Sequence, residues 1–257
     1  MASARFERHG DVGVVVLDHP PLNLFVKETV PDIRAAVEQA EKERVRALVV
    51  RAEGEIFTGG VDVHLFDGLG DGGARRLTAE LLRLTHRLEQ LPIPTLSSVH
   101  GLCLTAGFEL SLACDMIWAA ESAEFGLVEA VIGLTPLMGG TQRVAERAGP
   151  ARAHELVMTG RRYDAATLER WNVINRVLPD AELADATMRF AEKLAAGPTK
   201  AHAATKRIVR CQTDAGTLVA DDHTANIGAP LFETEDLKGA VKTFLSEGPG
   251  KATFRGR

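Results

Sequence analysis

The chain has 257 residues, enough for one large domain or for a domain with an appendage. It is 45% hydrophobic and 25% charged, which predicts a sizeable core and argues against extended disorder. Its formal net charge of -5 argues against nucleic acid as the main partner, because a phosphate-binding face needs an excess of basic residues.

The first half of the chain alternates between strand-like and helix-like patterns. Short apolar or β-branched runs predict strands at residues 12–18, 45–51, 95–99 and 116–119. Apolar residues at helical spacing predict helices at residues 29–43 and 74–90. This alternation predicts an α/β core.

The pattern becomes mostly helical after Gly139. Helices are predicted at residues 141–148, 151–158, 165–170, 181–196, 199–210 and from 235 onward, with a short strand within 172–178. Gly197-Pro198 marks a boundary. We therefore divide the chain into a core of residues 1–195 and a helical C-terminal region of residues 196–257. The apolar faces of that region are expected to pack on the core or on another subunit.

One carboxylate, Glu109, lies in the most apolar part of the chain. Between residues 95 and 120 the only acids are Glu109 and Asp115. A carboxylate in such surroundings is poorly solvated, so its pKa is expected to rise unless a partner compensates. The small residues just before it predict a close backbone approach and free amide groups at a helix start. Free amides beside a tunable acid suit chemistry on a carbonyl compound.

Three segments in order resemble the crotonase (enoyl-CoA hydratase/isomerase) superfamily. They are the Gly59-Gly60 loop of residues 56–62, the turn of residues 100–109, and the stretch from Cys114-Asp115 through residues 123–129; Gly133, Pro136 and residues 139–143 then follow in register. The resemblance runs from about residue 12 to the C-terminus. It implies a spiral of repeated β-β-α units and a helical C-terminal region that mediates trimers, which commonly pair into hexamers.

The resemblance also implies an acyl-CoA thioester as substrate. The backbone N–H groups of Val61 and Ala106 would hold the thioester oxygen, while Glu109 activates water and Glu129 supplies a proton to the α-carbon. No separate cofactor is expected, because coenzyme A is part of the substrate. Two alternatives stay open at this point: Glu109 as a carboxylate that caps amides at a helix start, and Glu129 as a solvated surface acid.

Further residues are assigned to substrate binding by the same resemblance. The adenine would lie against the backbone near Gly59, beside Asn23 and Leu24. Phe232 would flank the adenine, and Lys251 would reach a phosphate from a neighbouring subunit, although an ordinary solvated lysine is an equal alternative. Leu137 stands where hydratases commonly have a glycine, next to the expected water.

The function expected from these residues is enoyl-CoA hydration, within fatty acid metabolism. The alternatives are an enoyl-CoA isomerase, another acyl-CoA lyase or hydrolase of the superfamily, or a non-catalytic acyl-CoA-binding homologue. Retention of both glutamates favours hydration, whereas Leu137 and the Thr105-Ala106 pair, which stands where glycines are usual, depart from the family pattern.

The cysteines and the apolar segments indicate the cellular setting. Cys103, Cys114 and Cys211 are odd in number and lack metal-ligand spacing, which favours free thiols over disulfides or a metal site. The N-terminal residues lack the apolar core of a signal peptide, and polar residues interrupt the apolar stretch of residues 95–120. A cytoplasmic protein without a membrane partner is expected.

Overall fold

A computed structural model describes residues 2–257 of the chain. The strands in this part are β1 (Ala4–His9), β2 (Val12–Leu17), β3 (Ala47–Ala52), β4 (Thr95–Val99), β5 (Leu102–Leu104), β6 (Met116–Ala120), β7 (Glu124–Gly126), β8 (Tyr163–Asp164) and β9 (Arg176–Leu178). The α-helices are α1 (Thr29–Lys42), α2 (Asp71–Gln90), α3 (Ala106–Leu112), α4 (Gly140–Ala148), α5 (Pro150–Thr159), α6 (Ala165–Arg170), α7 (Asp180–Ala195), α8 (Thr199–Ala215), α9 (Thr217–Gly228) and α10 (Glu235–Glu247).

Six strands form the larger sheet, in the order β1-β2-β3-β4-β6-β9. All neighbours are parallel except β1 and β2, which pair antiparallel at the edge. Every residue of β2 is buried, as expected for a parallel sheet covered on both faces. Its sequence is therefore continuously apolar rather than alternating.

The smaller sheet contains β5, β7 and β8, and an isolated bridge joins Thr58 to Cys103 beside it. Two successive stretches of the chain each contribute one strand to the larger sheet, a short strand to the smaller one, and then a helix. The succession β4, β5, α3 is one such unit, and β6 and β7 followed by α4 is the next. The expected α/β architecture with repeated β-β-α units is confirmed.

Several elements have no counterpart among the sequence predictions, namely β1, β5, β7, β8 and α9. Strand β1 is polar along much of its length and lies at the sheet edge, so it carries little apolar signal. The strands of the smaller sheet have only two or three residues each, too few for a period to be recognised.

The C-terminal residues return to the core. Arg46 donates hydrogen bonds to the carbonyl oxygens of Gly197 (2.7 Å) and Phe254 (3.2 Å). The buried carboxylate of Asp236 accepts the N–H groups of Arg255 (2.7 Å) and Gly256 (2.8 Å). The last residues are thus attached to the same body as the sheets. Within residues 2–257, no helix combines the length and the apolar character that crossing a membrane requires.

Candidate active site

Glu109 lies in the first turn of α3, directly after the smaller sheet. The chain leaves β5 at Leu104, passes through Thr105 and enters the helix at Ala106. Gly107 allows this helix to pack tightly, because a Cβ atom at that position would overlap Cγ2 of Thr58. Glu109 as a whole is only 2% exposed. Local sequence thus places the carboxylate against the core, as its apolar surroundings predict.

The carboxylate of Glu109 is held by backbone groups that lie about thirty positions further along the chain. Its Oε1 accepts the N–H groups of Met138 and Gly140, both at 2.8 Å. Burial raises the pKa of Glu109 to about 7, although these two hydrogen bonds and the charge of Arg143 favour the ionised form. The carboxylate does cap a helix-start amide, but that amide is Gly140 at the start of α4 and not one of its own helix, and Met138 lies just before α4.

Glu129 begins the short 3-10 helix Glu129–Ile132 that follows β7. Its side chain is buried, and Oε2 has no hydrogen-bond partner among residues 2–257. Burial, and secondly the charge of Glu109, raise the pKa of Glu129 to about 7. The alternative of a solvated surface acid is wrong for this residue. Glu129 and Glu109 line the same cavity, so the charge of one carboxylate acts on the other.

The two amides expected to bind the thioester oxygen both lie close to Thr105: Ala106 follows it in sequence, and Val61 contacts its side chain. Val61 forms a parallel bridge with Phe25, and the preceding Gly60 has a φ of +106°. The N–H of Val61 donates to Oγ1 of Thr105 at 3.1 Å. Ala106 is the first residue of α3, so its N–H has no acceptor within the helix. The Ala106 N–H therefore makes no hydrogen bond within its helix, whereas the Val61 N–H already donates to a side chain.

A single cavity of about 460 Å³ brings these groups together. Glu109, Glu129, Val61 and Ala106 all line it, and so do Gly59, Thr105 and Leu137. The remaining wall is mainly apolar and includes Phe66, Leu77, Leu81, Val128, Leu134 and Met138. An apolar cavity with a few convergent polar groups is the usual form of a small-molecule site.

Four of the residues assigned to substrate binding do not line this cavity. The buried amide side chain of Asn23 accepts the N–H of His19 and donates to the carbonyl oxygens of Glu53 and Ile56, so it holds the surrounding loops together. Leu24 is partly buried beside Gly59. Phe232 and Lys251 are exposed on the C-terminal region. Their contact with coenzyme A stays a prediction.

Comparisons with known proteins identify the family of the chain. Residues 7–255 match the family model described as enoyl-CoA hydratase/isomerase. The chain is 31% identical to the "Probable enoyl-CoA hydratase" of Rhizobium meliloti (strain 1021) over 255 residues, covering 98% of this chain and 97% of that one. It is 33% identical to the carnitinyl-CoA dehydratase of Salmonella enteritidis PT4 over 221 residues, or 82% of each chain.

The chain belongs to the enoyl-CoA hydratase/isomerase family. Among solved structures of that family, the enoyl-CoA hydratase subunit I of Geobacillus kaustophilus HTA426 superimposes with a TM-score of 0.93 at 33% identity, covering 99% of this chain and 98% of that one. The crotonase-type fold inferred from the three sequence segments is thus confirmed.

Sequence reasoning did not identify the groups that orient Glu109. The backbone N–H donors of Met138 and Gly140 were missed, as was Arg143, which is buried and forms a two-point ion pair with Glu89 at 2.7 Å for each contact. Arg143 also donates to the carbonyl oxygens of Met138 and Gly139, both at 3.1 Å. The one sequence feature that could have indicated these donors is Gly139-Gly140, a pair of glycines at the start of a predicted helix. No cluster of three or more potential metal ligands occurs within residues 2–257.

Proposed function

We propose that this family member is an enoyl-CoA hydratase, which adds water across the 2,3 double bond of an acyl-CoA thioester. The observation that carries the proposal is the presence of two buried carboxyl groups, Glu109 and Glu129, in one apolar cavity. Hydration needs one group to take a proton from water and another to deliver one to carbon. A pKa of about 7 for both makes either protonation state accessible at neutral pH.

The different surroundings of the two acids support separate roles. Two backbone N–H groups and the charge of Arg143 stabilise the ionised form of Glu109. Glu129 has an unpartnered buried oxygen, and the charge of Glu109 favours its protonated form. Near neutral pH, a single proton on this pair is therefore expected to reside on Glu129. Glu109 is then the base and Glu129 the acid.

The proton balance of the reaction follows from these roles. Glu109 takes a proton from water as the water oxygen bonds to C3, and the double-bond electrons move onto the thioester as an enolate. Glu129 then gives its proton to C2 as the carbonyl re-forms. Glu109 ends protonated and Glu129 ionised, so proton exchange between the pair, directly or through water, restores the starting state. The enolate oxygen is stabilised by donors at the Val61 and Ala106 edge of the cavity.

The proposal extends to the assembly and its setting. Exposed apolar side chains on the C-terminal region, such as Leu218, Phe244 and Leu245, support a homotrimer or a hexamer. In such an assembly, Phe232 and Lys251 could meet coenzyme A bound to a neighbouring subunit, with Gly59 and Leu24 on the other side. A cytoplasmic role in fatty acid metabolism without a separate cofactor is part of the proposal. Light scattering tests this part of the proposal, because the molar mass in solution should be three or six times that of one chain.

The central test is a set of single glutamine variants. We expect the purified protein to remove the ultraviolet absorbance of a conjugated short-chain 2-enoyl-CoA. Glu109→Gln and Glu129→Gln should each lower kcat by about 100- to 10,000-fold, because each removes one proton-transfer group. Binding of a saturated acyl-CoA, measured by calorimetry, should survive in both variants.

Glu192→Gln is the matched control, since it changes an exposed glutamate on α7. It should keep wild-type turnover. If Glu109→Gln or Glu129→Gln stayed near the wild-type rate, the assignment of that carboxyl group would be wrong. Binding of acyl-CoA without turnover by the wild-type protein would favour a non-catalytic homologue.

An enoyl-CoA isomerase is the second candidate, and Leu137 is the observation that favours it. This leucine lines the cavity that holds the two acids, and its bulk reduces the space for water. An isomerase would move a 3,4 double bond to the 2,3 position without taking up solvent oxygen. Reaction in ¹⁸O-labelled water distinguishes the two, because only hydration puts the label into the acyl product.

A further inference from the structure

Thr105 has an uncommon backbone conformation for a β-branched residue, with φ of +47° and ψ of -122°. Its N–H donates to the carbonyl oxygen of Gly126 at 2.8 Å, and its own carbonyl accepts the N–H of Glu109 at 2.9 Å. These two bonds hold the backbone in place between the smaller sheet and α3. A glycine would adopt this conformation without strain. Threonine at this position therefore costs backbone conformational energy that glycine would avoid, which points to a function of its side chain.

The hydroxyl of Thr105 accepts one hydrogen bond, but its proton is donated to no other group within residues 2–257. The bond that Oγ1 accepts comes from the N–H of Val61 at 3.1 Å. Thr105 as a whole is only 8% exposed, and it lines the cavity that contains Glu109 and Glu129. A buried hydroxyl group whose O–H donates no hydrogen bond is costly, so an acceptor for it is expected. The cavity is where a substrate could supply it.

Gly60 makes room for the hydroxyl. A Cβ atom at that position would lie 2.6 Å from Oγ1 of Thr105 and 3.4 Å from its methyl carbon. The residue before Val61 must therefore lack a side chain if Thr105 is to keep this place. Because Oγ1 is the hydrogen-bond acceptor of the Val61 N–H, it lies between that amide and any group that approaches along the N–H direction.

We propose that the Thr105 hydroxyl is itself a donor to the thioester oxygen, and that the Val61 amide acts through it. The oxygen would then be bound by the Ala106 N–H and the Thr105 O–H instead of by two backbone amides. The Val61 N–H polarises the hydroxyl by donating to its oxygen, which strengthens the hydrogen bond that the hydroxyl donates. No proton is transferred in this step. The inference rests on the proposed function for its acyl-CoA ligand.

The alternative is that the hydroxyl merely blocks the Val61 amide and must be displaced by the substrate. The two cases predict opposite effects of removing the hydroxyl. If Thr105 is a donor, removal weakens stabilisation of the enolate and slows the reaction. If Thr105 is an obstacle, removal exposes the amide and the reaction becomes faster.

The experiment compares Thr105→Val, which keeps the shape but lacks the hydroxyl, with Thr105→Ala, Thr105→Ser and Thr105→Gly. We expect Thr105→Val and Thr105→Ala to lose about 100- to 1,000-fold in kcat for hydration of a short-chain 2-enoyl-CoA. Thr105→Ser should recover most of that loss relative to Thr105→Ala. Wild-type rates in Thr105→Val or Thr105→Ala, or a faster Thr105→Gly variant, would overturn the proposal.

A spectroscopic readout separates this proposal from the proposed function. The infrared carbonyl band of a ¹³C-labelled saturated acyl-CoA should shift to lower frequency on binding to the wild-type protein, and shift less on binding to Thr105→Val. That comparison needs no turnover, so it tests the hydroxyl even if no enoyl-CoA is hydrated. Equal band positions in wild type and Thr105→Val would overturn the donor role alone. Should Thr105→Val fail to fold by thermal melting, the pair Thr105→Ala and Thr105→Ser decides by the same two readouts.

Discussion

The buried Glu129 carboxyl group should make the stability of this protein depend on pH in a way that one substitution removes. In the folded chain, burial and the charge of Glu109 raise the pKa of Glu129 from 4.5 to about 7. Between these values the folded state holds a proton that the unfolded state has released. The stabilising contribution of that proton is therefore fully present below pH 4.5, and it is lost as the pH rises through 7.

The magnitude follows from the size of the shift. The rise in the pKa of Glu129 from 4.5 to about 7 corresponds to roughly 3 kcal/mol, most of which falls between pH 5 and pH 8. Glutamine at position 129 does not titrate. From pH 5 to pH 8, the free energy of unfolding should therefore fall by about 2–3 kcal/mol less in Glu129→Gln than in wild type. With a urea m-value of about 3 kcal/mol per molar, the midpoint difference is about 1 M.

Urea unfolding at pH 5 and pH 8, at one protein concentration, measures this difference. Glu192→Gln removes the same charge from an exposed position on α7 and provides the control for any general charge effect. Glu109 titrates in both proteins. To a first approximation, its contribution to the pH dependence of the free energy of unfolding is therefore the same in wild type and variant, and it cancels in their difference. If Glu129→Gln and Glu192→Gln showed the same change with pH, the claim that Glu129 is buried with a raised pKa would be refuted.

Two glycine substitutions test the packing around Glu109. Gly140→Ala places a methyl group 2.8 Å from Cγ of Glu109, so the carboxylate must move away from its two N–H donors. We expect kcat/KM to fall by about 10- to 100-fold and the lower pH limit of activity to move upward, since the ionised form loses support; an unchanged pH–rate profile would contradict this. Gly107→Ala makes a methyl overlap Cγ2 of Thr58 and should cost about 1–3 kcal/mol of stability in urea unfolding. Adding Thr58→Ser removes that methyl carbon and should restore part of the loss, whereas no recovery would exclude this contact as the cause.

Much of the fold could be predicted because it is encoded by local patterns. Continuously apolar runs such as the one that forms β2 must be buried on both faces, and helical spacing in α1 and α2 requires one covered face. The apolar surroundings of Glu109 likewise predicted a poorly solvated carboxylate with a raised pKa, which agrees with its position in the structure. The very short strands of the smaller sheet carried no such pattern.

The active-site geometry depended on contacts between remote positions. Nothing near Glu109 in sequence indicates that the N–H groups of Met138 and Gly140 support its ionised form. Local sequence gives no sign that Glu129 is buried; the family resemblance assigned its role, and only the fold places it in the same cavity as Glu109. The sequence alone also could not reveal that the Thr105 hydroxyl receives the Val61 amide, 44 positions away.

The amino-acid sequence by itself therefore determined which long apolar segments are buried, the order of the longer strands and of most helices, and the acids and small residues available for chemistry. Only the tertiary structure decided how each acid is solvated and hydrogen-bonded, and which polar groups line the same cavity. The physical reason is that solvation and hydrogen bonding of a buried polar group depend on every element packed against it. Those elements come from distant parts of the chain, and no local pattern specifies them.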